Sequence, residues 1–162
     1  MSSVFPPPSS AERPEGAAHV LLRAADLLIA VPAASALEIW QAERCHPVPG
    51  TPPYVIGIAS WRGMPLPLID LAAALGQGGG GGRPSLDGRR AAVISTPSYL
   101  VGLVVDATAG VVDVALERAR RPSVVGVGRL AELAIAEIDA PHGGVAAVLD
   151  VDAFLEEVRV RS

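Results

Sequence analysis

The run Gly57-Ile58-Ala59-Ser60-Trp61-Arg62-Gly63-Met64-Pro65-Leu66-Pro67-Leu68-Ile69-Asp70-Leu71 constrains the fold more than any other stretch of this chain. Apolar runs on either side of Trp61-Arg62-Gly63 predict a strand from Tyr54 to Ser60, a tight turn, and a second strand from Met64 to Ile69. Alternation places Ile56 and Ile58 on one face of the first strand, with Val55, Gly57 and Ala59 on the other. Pro65 and Pro67 lack their N–H groups on one side, which suits an edge or barrel-rim strand. Asp70 is placed to cap a short helix, Leu71 to Leu75, that Gly76 ends. At the bend, Arg62 stands beside a glycine and projects into water. The stretch holds no nucleophile, general base or metal-ligand set, so its chemistry is that of docking rather than reaction.

The rest of the chain repeats the pattern of short apolar runs and turn residues. His19 to Ala24 and Leu27 to Val31 form a predicted hairpin around Ala25-Asp26. Ala33 to Trp40 reads equally as a short helix or a strand. Pro47, Pro49, Gly50, Pro52 and Pro53 force an irregular connection. Gly78 to Gly82 is followed by Arg83-Pro84 and not by the Lys-Ser/Thr of a phosphate loop, so residues 77–88 read as a flexible linker between two halves. Further strands are expected at Arg90 to Thr96, Leu100 to Val105, Val111 to Leu116, Leu133 to Ile138 and Val145 to Leu149, with a bend from Asp106 to Gly110. Asp150 or Asp152 caps a final amphipathic helix, Ala153 to Val158. Many short strands and few short helices predict an all-β sandwich or barrel.

Composition narrows the function. A chain of 162 residues is one domain or two small subdomains sharing a core. With 50% hydrophobic but only 4% aromatic residues, that core must be built from Val, Leu, Ile and Ala. A net charge of -4 offers no electrostatic footprint for nucleic acid. Every basic side chain apart from histidine is arginine, which excludes P-loop and Schiff-base chemistry. Cys45 is the single cysteine, so no intrachain disulfide forms, as fits a reducing cytoplasm. Neighbours in a strand face opposite ways, so Cys45-His46 predicts no catalytic pair; His19 and His142 are too distant in sequence to suggest a metal set. No cofactor is expected. Residues 1–16 read as a disordered tail without a signal-peptide pattern, and no apolar run is long enough for direct membrane insertion.

Four motifs in order carry a family likeness. They are the hairpin at Leu21 to Val31 with Ala36-Leu37-Glu38-Ile39; Pro49 and Tyr54 with the run Gly57 to Asp70; Gly102-Leu103-Val104-Val105-Asp106; and Val148-Leu149-Asp150-Val151 with Phe154-Leu155. From His19 to Glu157 the chain resembles the CheW-like domain, the adaptor fold of bacterial chemosensory systems. The resemblance implies all-β architecture with short helices: two five-stranded SH3-like β-barrel subdomains packed side by side in a single domain over residues 17–160. Broken at the linker, the first barrel is expected at 17–76, the second at 89–149, and the last helix at 151–158. It also implies a non-enzymatic adaptor between the cytoplasmic tip of methyl-accepting chemoreceptors and a CheA-type histidine kinase, located at receptor arrays, and ring contacts with other CheW-like domains. Ser60-Trp61 replaces the family's frequent Asn-Leu, Ala136 to Ala140 replaces a Gly-x-Gly approach, and Ala36 replaces a larger residue, which leaves partner identity open.

The expected protein-binding residues are Glu38, Ile39, Tyr54, Gly57, Trp61, Arg62 and Gly63. Trp61 is expected at least partly exposed and Trp40 in the core. Glu38 reads equally as a partner for a receptor cation and as a solvated edge charge. Asp106 is expected to hold a turn through backbone N–H groups, and Arg118, Arg120 and Arg121 to form a solvated face. The competing functions are a small β-barrel enzyme or ligand binder, and a scaffold or decoy of another chemosensory pathway such as pilus-based motility.

Overall fold

Short runs rich in Val, Leu, Ile and Ala, most of them stopped by Gly, Pro or Asp, form ten strands among the described residues. The computed structural model describes residues 16–77, 85–115 and 130–160. In chain order these are β1 (Ala17–Ala24), β2 (Leu27–Pro32), β3 (Ala36–Trp40), β4 (Val55–Trp61), β5 (Met64–Asp70), β6 (Arg90–Ser95), β7 (Leu100–Val105), β8 (Ala107–Val114), β9 (Ala134–Asp139) and β10 (Val145–Leu149). The helices are α1 (Leu71–Ala74), α2 (Leu130–Leu133) and α3 (Val151–Val160). The segment left open as helix or strand is both: one 3-10 turn, Ala33–Ser35, leads into β3.

The strands form two five-stranded sheets, ordered β8-β1-β2-β10-β9 and β3-β6-β7-β5-β4. This corrects the expected division into a first barrel at 17–76 and a second at 89–149. β1 and β2 leave their sequence neighbours and pair with β8 and β10, while β3, β4 and β5 share a sheet with β6 and β7. The reason lies in burial. Leu21 and Leu22, on opposite faces of β1, are both buried, as are Ile29 and Ala30 of β2. A hairpin covered on both faces also has its edge N–H and C=O groups withdrawn from water, so they must be paired, and β8 and β10 pair them. The expected tail, most of the linker and the arginine group 118, 120 and 121 fall outside the described residues.

Alternation within each strand fills three apolar clusters. Leu21, Leu28, Ala30, Ala146 and Val148 fill the first sheet's own interior. Ala59, Trp61, Leu66, Leu68, Ala91, Val93 and Val104 fill that of the second sheet. The opposite faces meet in a central layer that takes Leu22 and Ile29 from one sheet, Ile69, Ile94 and Leu103 from the other, and Phe154 and Leu155 from α3. Gly102 faces the second interior, where an added Cβ would lie 2.6 Å from Leu68 Cδ2.

The caps follow expectation. Asp70 Oδ1 accepts the Ala73 N–H at 2.9 Å and starts α1. Asp150, not Asp152, caps α3 by accepting the Ala153 N–H. Of the two positions its prolines suit, edge or barrel rim, β5 does not take the edge, because it lies between β4 and β7. Its pairing with β7 begins only at Leu68, so Pro65 and Pro67 face no donor-requiring neighbour on that side.

Candidate functional site: the apex of the β4–β5 hairpin

The hairpin turns through two residues, Arg62 (φ 50°) and Gly63 (φ 76°). Both φ values are positive, as the tightest right-twisting hairpin turns require. Gly63 adopts this conformation freely; Arg62, with a Cβ, does so at a cost. The turn projects the Arg62 side chain, which is 68% exposed.

Trp61 is buried, at 3% exposure, and corrects the expectation of partial exposure. The expected alternation holds only from Gly57 onward, and its inward face is the opposite one: a bulge between Val55 and Gly57 sets Ile56 against the same interior cluster as Ala59 and Trp61, while Val55 lines the outer groove with Ile58. Gly57, Ala59 and Trp61 point into the second sheet's interior, while Ile58 and Ser60 point outward. The chain at Cys45 and His46 runs beside β4 and leaves no room for a side chain at Gly57. His46 and Ile58 exchange two backbone hydrogen bonds of 2.9 Å, and a Cβ at Gly57 would stand 2.4 Å from the His46 carbonyl oxygen. Trp40, expected in the core, is half-buried at the margin of the same cluster.

β3 and β4 are the two edges of their sheet, and side chains bridge them at the apex. The Trp61 Nε1–H donates to Glu38 Oε1 at 2.5 Å. Arg62 Nη2 lies 3.3 Å from the same oxygen. The Arg62 guanidinium carbon sits 4.8 Å from the centre of the Trp61 ring. The three groups therefore close a triangle: indole N–H to carboxylate, carboxylate to guanidinium, guanidinium to indole face. Each contact of the exposed arginine is worth at most about 1 kcal/mol, so the triangle orients Arg62 more than it stabilises the fold. One face of the guanidinium is held and the remaining N–H groups stay available to a partner.

The other expected site residues separate from this apex. Ile39 turns toward the central layer. Tyr54 is buried, and its hydroxyl donates to the Val158 carbonyl of α3 at 3.0 Å. Gly57 serves close packing under the 45–46 segment. Glu38, Trp61, Arg62 and Gly63 are brought together, and Met64 joins them, 44% exposed opposite Trp61 in the register.

Sequence reasoning missed a second feature. An apolar groove of about 300 Å³ runs beside the hairpin, with Val55, Ile58, Pro67, Val101, Leu155 and Val158 in its walls. Ile58 and Pro67 are paired, three register steps from the Trp61–Met64 pair, so one hairpin carries both groove wall and apex. At the groove's rim the Tyr99 hydroxyl donates to Glu156 Oε2, and Arg159 Nη1 lies 3.1 Å from Glu156 Oε1. The Tyr99 hydrogen bond, aided by Arg159, holds the Glu156 carboxyl below its ordinary range; the same bond raises the Tyr99 hydroxyl. No local signal announces the groove, since its walls come from three separate parts of the chain.

Among the described residues no group of three His, Cys, Asp or Glu side chains could hold a metal ion. Burial pushes the Cys45 thiol up, away from the thiolate. No described helix is long and apolar enough to cross a membrane.

Comparisons with known proteins agree with this architecture. The family model of the CheW-like domain matches residues 18–159. Protein FrzA of Myxococcus xanthus is 35% identical over 88 residues, which cover 54% of this chain and 53% of FrzA. The match thus spans about half the length of that relative. The crystal structure of the scaffolding protein TtCheW from Thermoanaerobacter tengcongensis superposes with a TM-score of 0.69 at 21% identity, covering 83% of this chain and 89% of that one.

Proposed function

The chain belongs to the CheW-like domain family, and from that premise we propose that it is a non-enzymatic adaptor that couples methyl-accepting chemoreceptors to a CheA-type histidine kinase. The observation that carries the reading is one hairpin with two docking chemistries. Its outer face forms one wall of an apolar groove, and its apex presents a cation held by an acid and an indole. A groove of this kind accepts the apolar stripe of a partner helix, which is the shape of a receptor's cytoplasmic tip. Arginine beside tryptophan is the composition of an interface hot spot. The apex is assigned to the kinase and the groove to the receptor helix. Signal then passes by relative placement of the two partners, and many such contacts in an array supply avidity.

The test is kinase autophosphorylation in membranes carrying the cognate receptor, with and without this protein. Stimulation supports coupling. Inhibition by the folded protein supports the decoy reading. No effect on kinase activity, together with no binding to receptor or kinase, overturns the proposal.

A further inference from the structure

Among the described residues the chain passes between the sheets at two places, through the turn Ala33–Ser35 between β2 and β3 and through a single residue between β7 and β8. β7 ends at Val105, β8 begins at Ala107, and Asp106 alone joins them. Its carboxylate has two partners in different sheets. Oδ2 accepts the Ala25 N–H at 2.7 Å, in the β1–β2 turn of the first sheet. Oδ1 lies 3.1 Å from Arg89 Nε, at the entry to β6 of the second sheet. Arg89 Nη1 donates in turn to Asp70 Oδ2 at 2.6 Å, and Asp70 also caps α1. The Asp106 N–H donates to the Arg23 carbonyl at 2.9 Å. Ala25 itself holds φ 54°, a left-handed conformation uncommon for a residue with a Cβ.

We propose that Arg89 and Asp106 form an electrostatic latch that fixes the relative orientation of the two sheets at the one-residue crossing between β7 and β8. The central layer supplies most of the attraction between the sheets, but apolar attraction is non-directional. Packed layers slide and rotate in small steps without losing much contact. Charged groups with hydrogen-bond geometry restore direction. Arg89 is suited to this role because its side chain is only 21% exposed and is anchored on Asp70, 9% exposed, while Asp106, 45% exposed, closes the contact from the solvent side. Arg89 Nε has no hydrogen bond, only the ion contact with Asp106, so the hub holds by charge at that atom. The latch lies away from the Glu38–Trp61–Arg62 triangle and does not depend on the adaptor reading.

The test is a distance distribution between spin labels at Ser60→Cys on β4 and Val145→Cys on β10, in a Cys45→Ser background. Both positions are exposed, one on each sheet. The parent gives one narrow distribution. Arg89→Met is expected to broaden it about twofold while far-UV circular dichroism stays unchanged, and Arg89→Lys to fall between. Asp106→Asn keeps an acceptor for Ala25 but loses the charge, and is expected to broaden the distribution like Arg89→Met. An unchanged width in either folded variant overturns the latch. If Arg89→Met fails to fold, the Asp106→Asn distribution decides.

Discussion

Replacing Arg62 with glycine separates docking from folding. In the structure Arg62 holds φ 50° at the apex, and a non-glycine residue there costs about 1–2 kcal/mol. Glycine removes that strain. Against this gain, the freer unfolded chain costs about 0.4–1 kcal/mol. The lost ion pair with Glu38 costs roughly 0.2–1 kcal/mol, discounted because the Arg62 side chain is 68% exposed. The lost contact with the Trp61 face costs about 0.5–1 kcal/mol at so open a site. At mid-range these terms leave a net loss of about 0.5 kcal/mol, and at their extremes a loss of no more than about 2 kcal/mol, so the thermal midpoint of Arg62→Gly should fall by about 8 °C at most. A hot-spot arginine lost from an interface costs 2 kcal/mol or more, so kinase affinity should fall at least about 30-fold. The paired assay is thermal unfolding by circular dichroism and kinase binding by titration. Destabilisation beyond about 2 kcal/mol would show that Arg62 serves the fold. Undiminished binding by a folded variant would show that the apex docks nothing. The persistence of a strained residue at an exposed turn is what makes function its best explanation.

Other outcomes follow from single contacts. Gly102→Ala should lose about 1–2 kcal/mol in urea denaturation, because the new methyl meets Leu68 Cδ2 at 2.6 Å in a full interior. Tyr54→Phe should lose about 1 kcal/mol and speed amide exchange at the end of α3, because its hydroxyl donates to the Val158 carbonyl. The Glu156 carboxyl should titrate below an ordinary glutamate when followed by carboxyl NMR. Its folded value is depressed, so its contribution to stability is present above the unfolded value and fades as pH falls through the folded one. Tyr99→Phe should return Glu156 toward the ordinary value, and no movement would remove that hydrogen bond as the cause.

Local chemistry made much of the fold legible. Turn residues at Ala25-Asp26 and Arg62-Gly63 and the apolar runs beside them were enough for an all-β chain, because strand period and turn preference act over a few residues. The caps at Asp70 and Asp150 were readable for the same reason. Ordered motifs such as Gly102 to Asp106 pointed to the family that the match over 18–159 bears out. Asp106 was expected to satisfy backbone N–H groups, and the Ala25 bond is that contact.

Tertiary structure decided what periodicity cannot. Alternation states that Ile58 and Trp61 face opposite ways but not which way is in; Ala59 and Trp61 enter a cluster with Leu66, Leu68 and Val93 that only the folded sheet assembles. The Gly78 to Gly82 run suggested a boundary between barrels, yet strand pairing ignores it and sends β8, β9 and β10 back to β1 and β2. Glu38 and Trp61 are 23 residues apart and share a hydrogen bond only because β3 and β4 are opposite edges of one curved sheet. The sequence by itself determined most of the strands and turns and the family they compose, since those follow from short-range sterics and patterning; the bend expected over Asp106 to Gly110 is instead a turn at Asp106 alone, and β8 runs from Ala107 because it pairs with β1. Only the folded chain decided which face is buried, which strands pair and which distant charges meet, since those depend on long-range burial that no local window contains.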